Sequence, residues 1–129
     1  MLIDKEYSWR GKTILIAEDE EINYMFMERV LMATNATLIR ATNGKFAIDI
    51  ASNNPSIDLI LMDIRMPEVN GIEASEKIKK IRPELPIIAQ TCYESDLGIS
   101  NIPNLKFDGF ISKPVNINVL LEMIDKLLK

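Results

Sequence analysis

Apolar and polar positions follow two alternating periods along the chain, and this alternation predicts the fold class. Apolar runs of strand length occupy about residues 13–17, 36–41, 58–62, 86–90 and 108–111. Segments with apolar residues three and four positions apart, which is typical of helices, occupy about residues 20–33, 44–54, 71–81 and 115–128. Strands that alternate with helices in this way favour a parallel sheet with helices on both faces.

The connection between the fourth and fifth strands departs from this regular pattern. Residues 94–107 contain Gly98, Asn101, Pro103 and Asn104, which interrupt any helical period. A proline in a helix interior costs about 3 kcal/mol. We therefore expect a short or distorted fourth helix.

Three expectations concern packing and domain limits. The first helix has apolar residues on one side, which we expect to face the core: Ile22, Met25, Phe26 and Val30. Cys92 is expected to be a small buried residue. Residues 1–11 read as a leader or linker in which Trp9 packs on the domain, and residues 12–129 read as the domain itself.

Composition narrows the class of function. The chain has 129 residues, of which 47% are hydrophobic, and its net charge of −4 argues against nucleic-acid binding. No apolar run approaches 18 residues, so no membrane insertion is expected. The single Cys92 excludes an internal disulfide and suits the cytoplasm. Because the chain has no histidine, any metal site should hold a hard cation through oxygen ligands.

Polar side chains follow four of the predicted strands. Glu18 and Asp19 follow the first strand, Asp63 the third, Thr91 the fourth and Lys113 the fifth. An ionised carboxylate at the end of an apolar strand is costly unless something binds it. In a parallel sheet these ends meet at one edge, where open α/β sheets bind ligands. The sequence therefore predicts one polar site.

Each of these residues also has an ordinary structural interpretation. Glu18 and Asp19 could cap the first helix, whose dipole favours acids at its start. Asp63 could cap the turn that follows it, Thr91 could be a β-branched strand residue, and Lys113 could be a solvated lysine. These interpretations stay open for each residue taken alone.

Taken together and in this order, the motifs resemble the receiver domain of two-component response regulators. The stretch 63–67, Asp-Ile-Arg-Met-Pro, followed by Asn70-Gly71, resembles the loop after that family's phosphoacceptor. The resemblance runs from about residue 12 to the C-terminus. It implies a flavodoxin-like (βα)5 three-layer sandwich with a five-stranded parallel sheet in the order 2-1-3-4-5.

The resemblance also implies a nucleophile and a metal site. Asp63 would accept a phosphoryl group from the phosphohistidine of a sensor histidine kinase or histidine phosphotransfer domain. Asp19, Asp63 and the backbone carbonyl of Arg65 would ligate Mg²⁺, and Glu18 would act through a metal-bound water. The physics agrees, because clustered carboxylates repel one another and Mg²⁺ binds few carboxylates while bridging phosphate.

The remaining implied roles concern the phosphoryl group and its consequences. Lys113 would pair with the phosphoryl oxygens, and Thr91 would donate its hydroxyl to them. Phe110 would be the aromatic switch residue, filling the space that Thr91 vacates. Arg65 and Tyr93, two residues beyond Asp63 and Thr91, would tune the phosphoryl lifetime, and their size predicts a long-lived phosphoform. The domain would catalyse its own phosphorylation and dephosphorylation as a signalling module, not as an enzyme with an external substrate.

Other classes remain as alternatives. A haloacid-dehalogenase phosphatase needs a second acid two residues after its nucleophile, where this chain has Arg65. A flavodoxin needs a phosphate loop rich in Ser, Thr and Gly after the first strand, where this chain is acidic. A degenerate receiver, used only for protein binding, is disfavoured because all five site residues are present. The domain could act alone or within a hybrid histidine kinase, and the leader and the Arg-Met-Pro loop favour the hybrid.

Overall fold

A computed structural model describes residues 5–92 and 107–129. Strands and helices alternate in the described chain as the apolar periods predict, with boundaries that differ by at most two residues. The strands are β1 (Thr13–Ala17), β2 (Thr37–Ala41), β3 (Leu59–Asp63), β4 (Ile87–Thr91) and β5 (Gly109–Ser112). The helices are α1 (Glu21–Met32), α2 (Gly44–Asn53), α3 (Gly71–Ile81) and α4 (Ile117–Leu128).

The five strands form one parallel sheet in the order β2-β1-β3-β4-β5. Helices α1 and α4 cover one face, where their buried side chains are Met27, Val30, Leu31, Leu120, Leu121 and Ile124. Helices α2 and α3 cover the other face through Ala47, Ala51, Ala74 and Ile78. The predicted three-layer sandwich with order 2-1-3-4-5 is therefore confirmed.

Asparagine side chains cap the N-termini of three of the four described helices. The side-chain oxygens of Asn43, Asn70 and Asn116 accept hydrogen bonds from the backbone N–H groups of Phe46, Glu73 and Val119. Such a cap satisfies a backbone donor that has no partner within the helix. The predicted fourth helix falls almost wholly within residues 93–106, so it lies outside the described residues.

The buried side of α1 differs from the predicted one. Ile22 is 80% exposed, Met25 is 49% exposed and Phe26 is 40% exposed. The side that faces the sheet contains Val30, as predicted, together with Met27 and Leu31. Because α1 carries apolar residues around most of its circumference, periodicity does not decide which stripe meets the sheet. The prediction for Cys92 was also wrong, since this thiol is exposed.

Trp9 packs on the domain, as expected from the sequence. Its side chain is only 4% exposed and belongs to the core layer under α1 and α4. Its indole Nε1–H donates to Oδ1 of Asp125 over 2.9 Å, and its backbone N–H donates to the carbonyl of Thr34. No helix in the described ranges is long and apolar enough to cross a membrane.

Candidate active site

Parallel strands bring the predicted polar residues to one edge of the sheet. Glu18 directly follows β1, Asp63 ends β3, Thr91 ends β4 and Lys113 directly follows β5. The neighbouring strands β1, β3, β4 and β5 all run in the same direction, so these residues share the carboxyl edge. Open α/β sheets bind ligands at this edge.

Three carboxylates and one ammonium group converge there. Glu18, Asp19 and Asp63 each offer an oxygen atom, and these atoms lie within 4.8 Å of one another. The Nζ atom of Lys113 lies 3.3 Å from Oδ2 of Asp63 and 3.8 Å from Oε1 of Glu18. Glu18 and Asp63 are buried, whereas Asp19 is exposed. The cluster is thus largely buried at the sheet edge and is accessible to solvent at Asp19.

The electrostatics of the cluster show an excess of negative charge. Burial, with the nearby Asp63 carboxylate as the second cause, raises the pKa of Glu18 from 4.5 to about 7. Burial alone would lower the pKa of Lys113, but Asp63 and Glu18 outweigh it and raise that pKa above its ordinary value. Oε1 of Glu18 is buried and has no hydrogen-bond partner in the described structure. One lysine therefore does not neutralise the site.

This donor set fits a hard divalent cation. Mg²⁺ prefers oxygen ligands, takes one or two carboxylates and keeps several waters. The cluster supplies carboxylate oxygens, including the unsatisfied Oε1 of Glu18, and Asp19 leaves a side open for water. Arg65, whose carbonyl is a predicted ligand, lies beside the cluster, where its backbone N–H donates to Oδ1 of Asp63 over 3.3 Å.

The loop after β3 depends on Gly71. Its backbone N–H donates to the carbonyl of Ile64 over 2.8 Å, which brings the start of α3 against the end of β3. A Cβ atom on residue 71 would collide with the carbonyl oxygen of Asp63. The Asn70-Gly71 pair therefore combines the cap of α3 with a close backbone approach behind Asp63.

Thr91 and Phe110 lie on neighbouring strands near the cluster. Thr91 is buried, and its hydroxyl has no partner among the described residues. Phe110 is half-buried and packs edge to face against Phe107, with ring centroids 5.4 Å apart. The peptide bond between Lys113 and Pro114 is cis. Tyr93, the remaining predicted site residue, lies outside the described residues.

The acidic residues after β1 do not cap α1 with their side chains. The N-cap of α1 is Glu20, which makes no side-chain cap hydrogen bond. The carboxylate of Glu18 instead accepts from the backbone N–H of Glu20 over 3.2 Å, while facing Lys113. Side-chain capping of α1 therefore does not account for Glu18 or Glu20, whereas Glu21 lies in the first turn of the helix.

Two polar residues near the site were not predicted from the sequence. Gln90 is buried, its side-chain nitrogen has no partner within the described ranges, and it lines a cavity of about 220 Å³ with Glu18 and Lys113. Arg40, on β2, contacts the backbone of the Glu18–Asp19 loop. The sequence feature that could have pointed to these two residues is their position, since Arg40 and Gln90 are the polar residues between the ends of the otherwise apolar strands β2 and β4.

Comparison with known proteins places this arrangement in a family. The sequence model of one protein family, the response regulator receiver domain, matches residues 14–125 of this chain. The chain is 33% identical over 115 residues to the autoinducer 1 sensor kinase/phosphatase LuxN of Vibrio campbellii, which covers 89% of this chain and only 13% of LuxN. It is 33% identical over 120 residues to the polar-differentiation response regulator DivK of Brucella anthropi, covering 91% of this chain and 96% of DivK.

Solved structures agree with these relatives. The receiver domain of the sensor histidine kinase PA1611 from Pseudomonas aeruginosa PAO1 superposes with a TM-score of 0.84 at 25% identity. The match covers 92% of this chain and 98% of that one, and that crystal structure has a magnesium ion coordinated in its active site cleft. This chain belongs to the response regulator receiver domain family of two-component signalling.

Proposed function

We propose that this domain accepts a phosphoryl group on Asp63 within a two-component phosphorelay. The observation that carries the proposal is the Lys113 ammonium, 3.3 Å from Oδ2 of Asp63, inside a cluster of three carboxylates. Phosphoryl transfer needs alignment and charge neutralisation more than covalent help from the protein. A buried carboxylate beside an ammonium group, at the solvent-accessible edge of the sheet, supplies both the alignment and the charge neutralisation.

The residues that would hold Mg²⁺ are Asp19, Asp63 and the carbonyl of Arg65, with Glu18 acting through a water. When bound, Mg²⁺ would neutralise charge that develops on the phosphoryl oxygens. The raised pKa of Glu18 supports a cation here, because its carboxylate form lacks sufficient compensation in the protein alone.

The transfer itself is a displacement at phosphorus. A carboxylate oxygen of Asp63 forms a bond to phosphorus, and the bond from phosphorus to the donor imidazole nitrogen breaks. That nitrogen keeps the electron pair, so the donor histidine returns to its unphosphorylated form and Asp63 becomes an acyl phosphate. Lys113 is close enough to pair with the new phosphoryl oxygens.

Phosphorylation would then alter the surface around β4 and β5. The phosphoryl group carries about 1.5 to 2 negative charges in place of the single charge of the Asp63 carboxylate, and it presents new acceptor oxygens. The buried, unsatisfied hydroxyl of Thr91 is a suitable donor to them. We propose that Thr91 moves toward the phosphoryl group and that Phe110, which is half-buried beside Phe107, fills the vacated space.

The lifetime of the phosphoform is proposed to depend on Arg65 and Tyr93. Both side chains are large, and they follow Asp63 and Thr91 at the same spacing of two residues. Large side chains there would hinder the water that hydrolyses the acyl phosphate. Replacing both by alanine should shorten the phosphoform half-life, measured by intact mass over time. An unchanged half-life would contradict this role.

The phosphoryl donor would be a sensor histidine kinase or a histidine phosphotransfer domain. A net charge of −4 favours a protein partner over nucleic acid. The single cysteine suits action in the cytoplasm, a reducing compartment. The relatives allow two contexts, since LuxN is a long sensor kinase that this chain covers in small part and DivK is covered almost entirely.

Intact mass after incubation with acetyl phosphate tests the proposal. The domain should gain one phosphoryl group with Mg²⁺ and none with EDTA. Asp63→Asn should abolish the gain, and Asp49→Asn, an exposed aspartate on α2, should leave it unchanged. If no gain occurs, binding of beryllofluoride separates a site that requires its own donor from a degenerate receiver, which would bind none.

A further inference from the structure

Arg40 makes hydrogen bonds to the backbone of the loop after β1, which contains Glu18 and Asp19. This residue lies on β2, next to β1, and its side chain is 20% exposed. Its Nε–H donates to the carbonyl of Glu18 over 3.1 Å, and its Nη2–H donates to the carbonyl of Asp19 over 3.3 Å. One guanidinium group therefore holds the two backbone carbonyls that flank the start of the predicted metal site.

Two further contacts immobilise this guanidinium. Its Nη1–H donates to Oε2 of Glu21 over 2.7 Å, in the first turn of α1. Its central carbon lies 4.5 Å from the ring centroid of Tyr24, one turn further along the same helix. Arg40 thus ties the end of β2 to the loop after β1 and to the start of α1, using the fixed fork of donors that lysine lacks.

The hydrogen bonds continue from Arg40 to the carboxylate of Glu18. The peptide group between Asp19 and Glu20 accepts from Arg40 at its carbonyl, and its N–H donates to Oε2 of Glu18 over 3.2 Å. Fixing the plane of that peptide therefore fixes one hydrogen bond to the Glu18 carboxylate. The same contact sets the backbone position from which the Asp19 side chain extends.

We propose that Arg40 is a positioning residue for Mg²⁺, which acts by holding Glu18 and Asp19 in register with Asp63. The inference rests on the proposed function, because it assigns the metal to that cluster. Groups that orient metal ligands typically contribute 10-fold to 100-fold in metal affinity. Arg40 does this through backbone carbonyls, so its effect does not require contact with the metal.

The sign of the effect separates positioning from simple electrostatics. A positive charge beside a cation site repels the cation, so a purely electrostatic role predicts tighter Mg²⁺ binding after the charge is removed. Glu21 partly neutralises Arg40 and reduces this repulsion. A positioning role predicts the opposite result, which is weaker binding.

Titration of Mg²⁺ into Arg40→Met by isothermal calorimetry is the first test. We expect its Kd to rise roughly tenfold relative to the unsubstituted domain. Arg40→Lys, which keeps the charge but not the fork, should recover less than half of that loss on a logarithmic scale. Unchanged or tighter binding by Arg40→Met, or full recovery by Arg40→Lys, would overturn the inference.

Phosphorylation kinetics supply a second readout. With acetyl phosphate as donor, Arg40→Met should raise the half-saturating Mg²⁺ concentration roughly tenfold. Its maximal rate at saturating Mg²⁺ should stay within about twofold of the original, because Arg40 does not touch the reacting atoms. A lower maximal rate with an unchanged half-saturating concentration would indicate damage to the fold and would overturn the inference.

Arg82 provides a matched control at the opposite edge of the sheet. Its guanidinium donates to the backbone carbonyls of Ala51, Asn54, Pro55 and Ile57. Arg82→Met should lower the urea midpoint but leave the Mg²⁺ Kd unchanged. An equal loss of Mg²⁺ affinity in Arg82→Met would overturn the inference.

The two proposals also fail differently. If the unsubstituted domain binds Mg²⁺ but neither gains a phosphoryl group nor binds beryllofluoride, the phosphoacceptor proposal fails and the calorimetric comparison still decides the role of Arg40. If the unsubstituted domain does not bind Mg²⁺, both fail.

Discussion

The two carboxylate oxygens of Asp63 lie in different surroundings, and Lys113 accounts for one of them. Oδ2 lies 3.3 Å from the ammonium of Lys113, whereas Oδ1 accepts the backbone N–H of Arg65 over 3.3 Å. Asp63 is therefore held on one side by the loop that follows it and on the other by Lys113, the first residue after β5. These two contacts fix the orientation of the Asp63 carboxylate.

Replacing Lys113 by methionine should slow phosphorylation by acetyl phosphate roughly 100-fold, because a charge that stabilises the phosphoryl group is lost. Binding of Mg²⁺ should persist, since Lys113 is not a ligand and repels the cation. Intact mass over time gives the rate. Lys126→Met, which removes an exposed lysine of α4, should have no effect. Equal rates for both variants would count against the proposed role of Lys113.

Without Mg²⁺, the domain should lose stability as pH rises from 4.5 to 7. The folded state raises the pKa of Glu18 to about 7, so it binds this proton more tightly than the unfolded state does. The corresponding stability is present below pH 4.5 and is lost as pH rises through 7. A pKa shift from 4.5 to about 7 corresponds to a loss of roughly 3 to 4 kcal/mol in the free energy of unfolding, since one pKa unit is about 1.4 kcal/mol.

Urea unfolding in EDTA at pH 5 and pH 8 measures this loss. The Glu18→Gln variant should lose much less stability between pH 5 and pH 8, and at pH 8 it should be more stable than the unsubstituted domain. Saturating Mg²⁺ should also remove this loss, because the cation stabilises the ionised cluster. An exposed control, Glu122→Gln, should leave the pH dependence unchanged. A flat profile for the unsubstituted domain in EDTA would contradict the raised pKa.

Trp9→Ala should lower the free energy of unfolding by about 3 kcal/mol or more, because it empties a buried aromatic position. Trp9→Phe should cost less, since it loses mainly the hydrogen bond to Asp125. That bond is the first cause of the lowered pKa of Asp125. Urea unfolding monitored by circular dichroism gives both values. No loss in Trp9→Ala would mean that residues 1–11 are only a leader.

The exposed apolar side of α1 is expected to bind the phosphoryl donor, because it begins beside the acidic cluster. Ile22→Asp should slow transfer from a phosphorylated histidine phosphotransfer domain roughly tenfold, and should leave the rate with acetyl phosphate unchanged. Met32, at the far end of α1, is 61% exposed, and Met32→Asp is the matched control. Equal slowing by both substitutions would contradict a donor surface at the start of α1.

Local patterns were sufficient for the elements and for most of the site. Strands β1, β3 and β4 are buried on both faces, so β1 and β3 are almost continuously apolar and β4 is apolar up to Gln90. A polar residue that ends such a run must lie at the sheet edge, because parallel strands end together there. This rule brought Glu18, Asp63 and Thr91 to one place before any distance was known, and Lys113 follows β5 at the same edge.

The pattern did not predict contacts between distant segments. The apolar residues of α1 predicted burial of Ile22, but packing against the sheet buries Met27 instead. The hydrogen bond from Arg40 to the loop after β1 joins residues 22 positions apart in the sequence. The hydrogen bond from Trp9 to α4 joins residues 116 positions apart. Periodicity describes one segment at a time and carries no information about such pairs.

The sequence by itself therefore determined the order of the elements, the sheet edge and the chemistry available there. Only the tertiary structure decided which side of α1 is buried, how Glu18 loses its solvation and which groups hold Asp63 in place. The physical reason is that strand and helix periods arise from neighbouring residues, whereas burial and electrostatic coupling arise from segments that meet only after the chain has folded.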